Sequence, residues 1–262
     1  MTRLMGDPAH DYNMNGYYIV PDMRIPHDLL DRARKRFSCV LRGEYESGMA
    51  PWRHWNRGEA DKLQKIDQVH LTDTALFELA THPAIGEWAA RVLGAKHIQV
   101  WATQLFYKPP GSGEQGHIGW HTDQDNWRFW QGEVFTAWLP LTPIQKASGP
   151  LCFARGSHQW PNLEFRGDGY GHDLSRQRRE IEHEIAMPMQ EVQALLPAGG
   201  LSFHHSRTWH YSGTNTSTEP RCSLAINLRT EHSNILENEE HYGYGAYLDD
   251  PLICPVIYSA AH

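Results

Sequence analysis

The chain has 262 residues, 40% hydrophobic and 11% aromatic, enough for one sizeable core and too few to require two. A formal net charge of -7 leaves no surplus of Lys and Arg to hold a phosphate backbone, which argues against nucleic acid and favours a small-molecule partner. Residues 1–10 lack the basic flank and apolar stretch of a signal peptide, and no later stretch has the apolar length to cross a bilayer, so a cytoplasmic protein with no membrane partner is expected. Cys39, Cys152, Cys222 and Cys254 form no Cys-x-x-Cys pair, which argues against a zinc ribbon and against a disulfide scaffold.

We read one domain over 1–262, with helices over about 1–96 and a β core over about 97–258. Leu29, Leu30, Ala33, Phe37, Val40 and Leu41 recur at helical spacing among basic residues and predict an amphipathic helix. A second helix is expected over 83–93, opened by Pro83 and stopped by Gly94. From Ile98 the period changes to two, and strands are expected over 98–107, 134–141, 151–153, 200–204 and 222–228. Short strands at this spacing suggest a jelly roll, a double-sheet barrel able to hold a ligand between its sheets. The stretch 161–179, rich in Arg, Gly and Asp, reads as a surface loop or lid.

Histidine occurs 17 times, so roughly one or two His-x-Asp/Glu matches would arise by chance. Only His121 has a carboxylate two residues on, Asp123. Residues two apart on a strand share a face, so this pair can take adjacent corners of one metal's coordination sphere. A third ligand would complete a two-His, one-carboxylate triad that leaves positions open on Fe(II); zinc is the chemical alternative. His204, His205 and His210 are the candidates. Arg221, eleven residues after His210, opens an alternating run in which Cys222, Leu224, Ile226 and Leu228 are the apolar set. Arg221 then points to the other side, where it could grip a carboxylate, although a surface arginine in a loop fits the spacing equally.

The segments Lys108-Pro109-Pro110-Gly111, Trp120-His121-Thr122-Asp123 and Phe135-Thr136-Ala137-Trp138 resemble, in order, those of the phytanoyl-CoA dioxygenase family of iron(II) and 2-oxoglutarate dependent oxygenases. Gly149-Pro150-Leu151, Gly156-Ser157-His158, Trp209-His210-Tyr211-Ser212-Gly213 with Asn215, Pro220 and Arg221, and the tail from Asp250 to Tyr258 continue the resemblance. It implies a double-stranded β-helix core of cupin-like type, Fe(II) held by His121, Asp123 and His210, and 2-oxoglutarate and O2 as cosubstrates. The far carboxylate of 2-oxoglutarate would be held by Arg221 and Ser212, with Lys108, Trp138 and Thr136 at the cosubstrate site; Thr136 and Trp138 share one strand face. His158, His204 and His205 are left as structural residues or partners of a ligand. Thr122 and Tyr211 depart from the family pattern, which has Gln and a small residue there.

The reaction so implied is oxidation of an unactivated C–H bond of a small organic substrate, with release of succinate and CO2; the carboxylate at Asp123 argues against halogenation. Trp127, Arg128 and Trp130 are expected to shape the substrate pocket, and Trp52, Arg53, His54 and Trp55 form a second aromatic and basic cluster. Arg166, His172, Arg176, Arg178 and Arg179 on the expected lid could attract an anionic substrate. The competing readings are a non-oxidative metal-dependent isomerase or lyase on the same fold, and a carbohydrate-binding jelly roll that stacks sugars on its tryptophans.

Overall fold

The computed structural model describes residues 6–23, 25–165, 173–237, 241 and 243–260. Its N-terminal part runs α1 (Pro8–Asn15), β1 (Tyr17–Ile19), α2 (His27–Arg42), β2 (Arg53–Trp55), β3 (Gln64–Asp67), α3 (Thr74–Ala80) and α4 (Pro83–Leu93). Helix α2 buries Leu29, Leu30, Ala33, Phe37 and Val40, the face its periodicity marked out, and stops at Gly43 in the left-handed region (φ 85°). Helix α4 has the expected bounds and stops at Gly94 (φ 68°). A side chain at Gly86 on α4 would meet the Ile257 carbonyl oxygen at 2.3 Å, so this helix needs glycine to seat against the C-terminal strand. The short α3 carried no periodic signal. It rests on Asp73, whose carboxylate accepts from the amides of Ala75 and Leu76 and from Arg36.

The rest is mainly strand: β4 (His97–Lys108), β5 (Ile118–His121), a one-turn helix α5 (Asp123–Asn126), β6 (Trp130–Gln131), β7 (Val134–Pro140), β8 (Leu151–Ala154), α6 (Leu174–Ile185), β9 (Glu191–Gln193), β10 (Ser202–His205), β11 (His210–Ser212), β12 (Arg221–Thr230), β13 (Asn234–Ile235) and β14 (Val256–Ser259). The large sheet has the order β1-β10-β7-β12-β4-β3-β2, with β14 also paired to β4, and the small sheet the order β5-β11-β8-β9. From β4 to β12 the chain passes back and forth between the sheets, and the neighbouring strands pair antiparallel. This is the jelly roll, or double-stranded β-helix. Each of the five expected strands is present, shifted by at most two residues at an end.

Alternation along β12 decides where the core sits. Cys222, Leu224, Ile226 and Leu228 join α2, α3 and α4 in the largest apolar cluster, on the outer face of the large sheet. Arg221, Ala225 and Asn227 face inward and line a cavity between the sheets. Because the helices complete the core from outside, the interior of the roll can carry polar chemistry.

The stretch 161–179 is not loop throughout. Residues 166–172, with Arg166 and His172, lie outside the described residues, but α6 starts at Leu174, capped by the Asp173 side chain on the Arg176 amide. Its few apolar residues hide the helical period, and pairs at i,i+4, Arg176 with Glu180 at 2.7 Å and Arg178 with Glu182 at 3.0 Å, support it instead. Arg178 also pairs with Glu191 at 2.7 Å, so Arg176 and Arg178 are already matched and are not free to draw in an anion. Among the described residues no helix is long and apolar enough to cross a membrane.

His70 ties the helical layer to β4 and the C-terminal segment. Its Nε2 lies 2.9 Å from the Ile253 carbonyl, which can only accept, so Nδ1 accepts from the Thr103 hydroxyl at 2.7 Å and the ring is neutral. Burial pushes its pKa from 6.5 down to about 4. As pH falls between those values the unfolded chain takes up a proton that the folded chain refuses, so stability is lost, by about 3 kcal/mol at the lower end. Denaturant titrations from pH 7 to pH 4 should therefore show the native protein losing about 3 kcal/mol more than His70→Gln; parallel curves would contradict this assignment.

Candidate metal centre

His121 closes β5 and His210 opens β11, and the two are paired in register across the small sheet. Their rings come to 4.2 Å between centroids. Asp123 is not on the strand, as the spacing argument supposed: it is the first residue of α5. Thr122 is still extended (φ -112°, ψ 145°), so the alternation continues one residue past the strand end and Asp123 falls on the His121 side. Thr122 then caps the turn, its hydroxyl oxygen accepting from the Asp125 amide. One ligand atom from each of His121, Asp123 and His210 lies within 4.8 Å of the others. Asp123 Oδ1 is 3.9 Å from His121 Nε2 and 3.8 Å from His210 Nε2.

The tautomers follow from the backbone. His121 Nδ1 is 2.8 Å from the Gly119 carbonyl and His210 Nδ1 is 2.9 Å from that of Thr208. Carbonyls accept only, so both Nδ1 atoms carry the proton and both Nε2 lone pairs face Asp123 Oδ1. The other carboxylate oxygen, Oδ2, accepts from Thr136 Oγ1 at 2.9 Å and from His204 Nε2 at 3.2 Å. Burial lowers the pKa of His121 and lowers that of His210 well below the usual range. Burial alone would raise Asp123, but His210, His204 and His121 together hold it below the usual carboxylate range. Two neutral imidazoles and one carboxylate leave a net negative charge at the cavity wall, and two Nε2 lone pairs and Oδ1 are the donor set a divalent ion such as iron(II) or zinc accepts.

The same cavity, about 740 Å³, reaches Arg221, Ser212 and Trp138. Arg221 is 2% exposed, its Nε has no hydrogen-bond partner, and its guanidinium lies 5.0 Å from the Trp138 ring centroid. Burial pushes its pKa down to about 10. The Ser212 hydroxyl is also buried without a partner. An unpaired buried cation is costly, and here it is accompanied by an unused hydroxyl in an open cavity; the arrangement suits an anion. Thr136 lines the cavity too, but its hydroxyl is committed to Asp123. Lys108 does not line it. Its Nζ donates to the carbonyls of Ser212 and Gly213 and so anchors the end of β11, and burial beside Arg221 pushes its pKa well down.

Of the residues expected at the substrate, Trp127 lines the cavity. Arg128 is exposed and donates to the Asp125 carbonyl, and Trp130 packs 5.6 Å from Trp101 in a separate cluster, because the turn of α5 ends strand alternation before them. Trp52, Arg53 and Trp55 line the outer cavity, whereas His54 turns away to Gln64. Phe129 and Tyr244 line it without any signal in sequence. His205 accepts from the Arg207 amide and His158 donates to the Asn13 carbonyl, neither at the metal cluster. Removing a group that orients a ligand typically costs about 10- to 100-fold in metal affinity. Anaerobic Fe(II) titration should show a loss in that range for Thr136→Val and none for His205→Gln; equal affinities would show that Oδ2 needs no anchor.

The chain is similar to known proteins in sequence and in fold. It is 27% identical over 173 residues, 64% of this chain and 58% of the other, to a Stutzerimonas stutzeri protein described as "Probable alpha-ketoglutarate-dependent hypophosphite dioxygenase"; the match thus spans less than two thirds of that relative. In fold it is similar to the non-heme alpha ketoglutarate dependent carbocyclase SnoK from nogalamycin biosynthesis, with a TM-score of 0.71, 21% identity, and 97% of this chain and 96% of that one covered. It is similar in the same way to the epimerase SnoN, solved in complex with Fe3+, alpha ketoglutarate and nogalamycin RO, with a TM-score of 0.67, 23% identity, and 92% and 88% covered. The family model for phytanoyl-CoA dioxygenase (PhyH) matches residues 12–223, which include His121, Asp123, His210 and Arg221, and the chain belongs to this family.

Proposed function

We propose that this protein is an iron(II)- and 2-oxoglutarate-dependent dioxygenase that oxidises a C–H bond of a small organic substrate in the cytoplasm and releases succinate and CO2. One observation carries the reading: a cluster of three potential ligands and a buried guanidinium, whose Nε has no hydrogen-bond partner and which pairs with no carboxylate of the described residues, face the same cavity. His121, Asp123 and His210 would hold ferrous iron, and Arg221 with Ser212 would hold the far carboxylate of 2-oxoglutarate. When bound, iron and 2-oxoglutarate would together activate O2, the oxidant, for attack on an unactivated C–H bond, 2-oxoglutarate being oxidised to succinate and CO2 in the process.

The chain's own residues prepare that chemistry. Gly119 and Thr208 fix both imidazoles with Nε2 deprotonated, so no proton need leave on metal binding near neutral pH. Thr136 and His204 leave one Asp123 oxygen free. Trp138, beside Arg221, gives the guanidinium an aromatic face. A non-oxidative metal enzyme requires no second anionic cosubstrate at such a guanidinium, and a sugar-binding module requires no such cluster. The four cysteines are free, which suits a reducing compartment.

Succinate formation from 2-oxoglutarate, measured with Fe(II) under air, tests the reading. The native protein should release succinate and His210→Ala none. Arg221→Met removes the charge and its hydrogen bonds, which should weaken 2-oxoglutarate by on the order of 100-fold while iron affinity is retained. An unchanged requirement for 2-oxoglutarate in that variant, or no iron-dependent succinate from the native protein, would refute the assignment.

A further inference from the structure

Beyond the metal end, the cavity opens into an outer chamber whose walls come from opposite ends of the chain. The inward face of β2, β3 and β4 presents Arg53, Trp55, Lys65, Asp67, Gln104 and Phe106, set side by side by the strand register. Asp67 is fully used: it accepts from the Trp55 indole at 3.1 Å and from Gln104 at 3.2 Å, and pairs with Lys65 at 3.5 Å. Lys65 is thereby matched. Arg53 is not: its guanidinium lies 4.4 Å from the Trp55 ring centroid, and no carboxylate of the described residues pairs with it. The indole beneath it is itself held by Asp67, and Arg53 lies exposed on it at the mouth of the chamber.

The other wall is aromatic. Trp52 packs 5.0 Å from Tyr244, and Tyr244 lies 6.2 Å from Phe129 with the ring planes 8° apart. Trp127 extends this surface toward the metal cluster. At the rim Trp52 and Trp55 are each 38% exposed and Tyr247, 5.5 Å from Trp52, is 41% exposed, an unusual concentration of large open rings at one opening.

A charge count then limits what the chamber accepts. On the dioxygenase reading, on which this inference rests, a divalent ion, the Asp123 carboxylate, doubly charged 2-oxoglutarate and Arg221 sum to zero at the deep end. Lys65 and Asp67 cancel in the chamber, and Arg53 leaves one unmatched positive charge. We propose that the outer chamber binds a ring-bearing organic monoanion, with its ring on the Trp52, Tyr244 and Phe129 wall and its acid group on Arg53. A nucleotide-bearing thioester, with several phosphate charges, would find too few cations here.

Calorimetry on the anaerobic protein loaded with Fe(II) and 2-oxoglutarate tests this with two probes of one shape, 2-naphthoate and the neutral 2-naphthamide. The native protein should bind the acid at least tenfold more tightly. Arg53→Gln should erase that preference, Arg53→Lys should keep part of it, and Trp52→Ala should weaken both probes, with the affinities for iron and 2-oxoglutarate held within twofold in all three. Equal binding of the probes, a preference that survives Arg53→Gln, or no binding of either probe would overturn the proposal. Failure of iron or 2-oxoglutarate to bind the native protein would overturn the dioxygenase reading, and the charge count with it.

Discussion

The arrangement of this protein depends on the division of labour between the two oxygens of one half-buried carboxylate. Asp123 Oδ2 is held by Thr136 from β7 and His204 from β10, both on the large sheet. Asp123 Oδ1 faces His121 and His210 of the small sheet. The carboxylate therefore bridges the two sheets of the roll, and the position of Oδ1 is set by Thr136 and by His204, whose ring also packs 4.6 Å from that of His210. Such support is what turns three nearby side chains into a preformed site, since each donor is aimed before any ion arrives.

The cavity is polar at the expense of its own stability. An anionic cluster at one place and, at another, a buried guanidinium that pairs with no carboxylate of the described residues are both unfavourable away from bulk water. The fold tolerates this because its main apolar cluster lies elsewhere, between the outer face of the large sheet and the helices α2, α3 and α4. Ligands that match both charges would then stabilise the folded state as they bind. The amphipathic pattern of β12 expresses the separation in one strand: one side chain in two supports the core, and the next serves the cavity.

Much of this could be read from the residues alone, and the reasons are physical. The long strands β4, β7 and β12 and the helices α2 and α4 carry enough apolar residues for their period to show, and the stops at Gly43 and Gly94 are local. The short strands β5 and β11, which bear His121 and His210, have no such pattern; only the chemistry of the residues and their family resemblance identified them. Position 123 was found through a strand argument although the strand ends at 121, because an extended Thr122 preserves the geometry. Arg128 and Trp130, expected at the pocket because they follow the ligands, lie beyond the turn of α5 and outside the cavity lining, and Lys108, expected there from the family resemblance, gives its amine to backbone carbonyls. Tyr244 and Phe129 could not be foreseen, since long-range packing alone brings the C-terminal segment against β2 and the loop after α5. Helix α6 was hidden by its charge, the property that stabilises it.

The central claim is that the cluster and the guanidinium serve one pair of ligands. Crystals grown without oxygen in the presence of Fe(II) and 2-oxoglutarate, examined by anomalous scattering at the iron edge, test it most directly. The account predicts a single strong iron peak contacted by His121 Nε2, Asp123 Oδ1 and His210 Nε2, with the distal carboxylate of 2-oxoglutarate on Arg221. An iron peak away from those three atoms, or 2-oxoglutarate bound with Arg221 still unpaired, would contradict it.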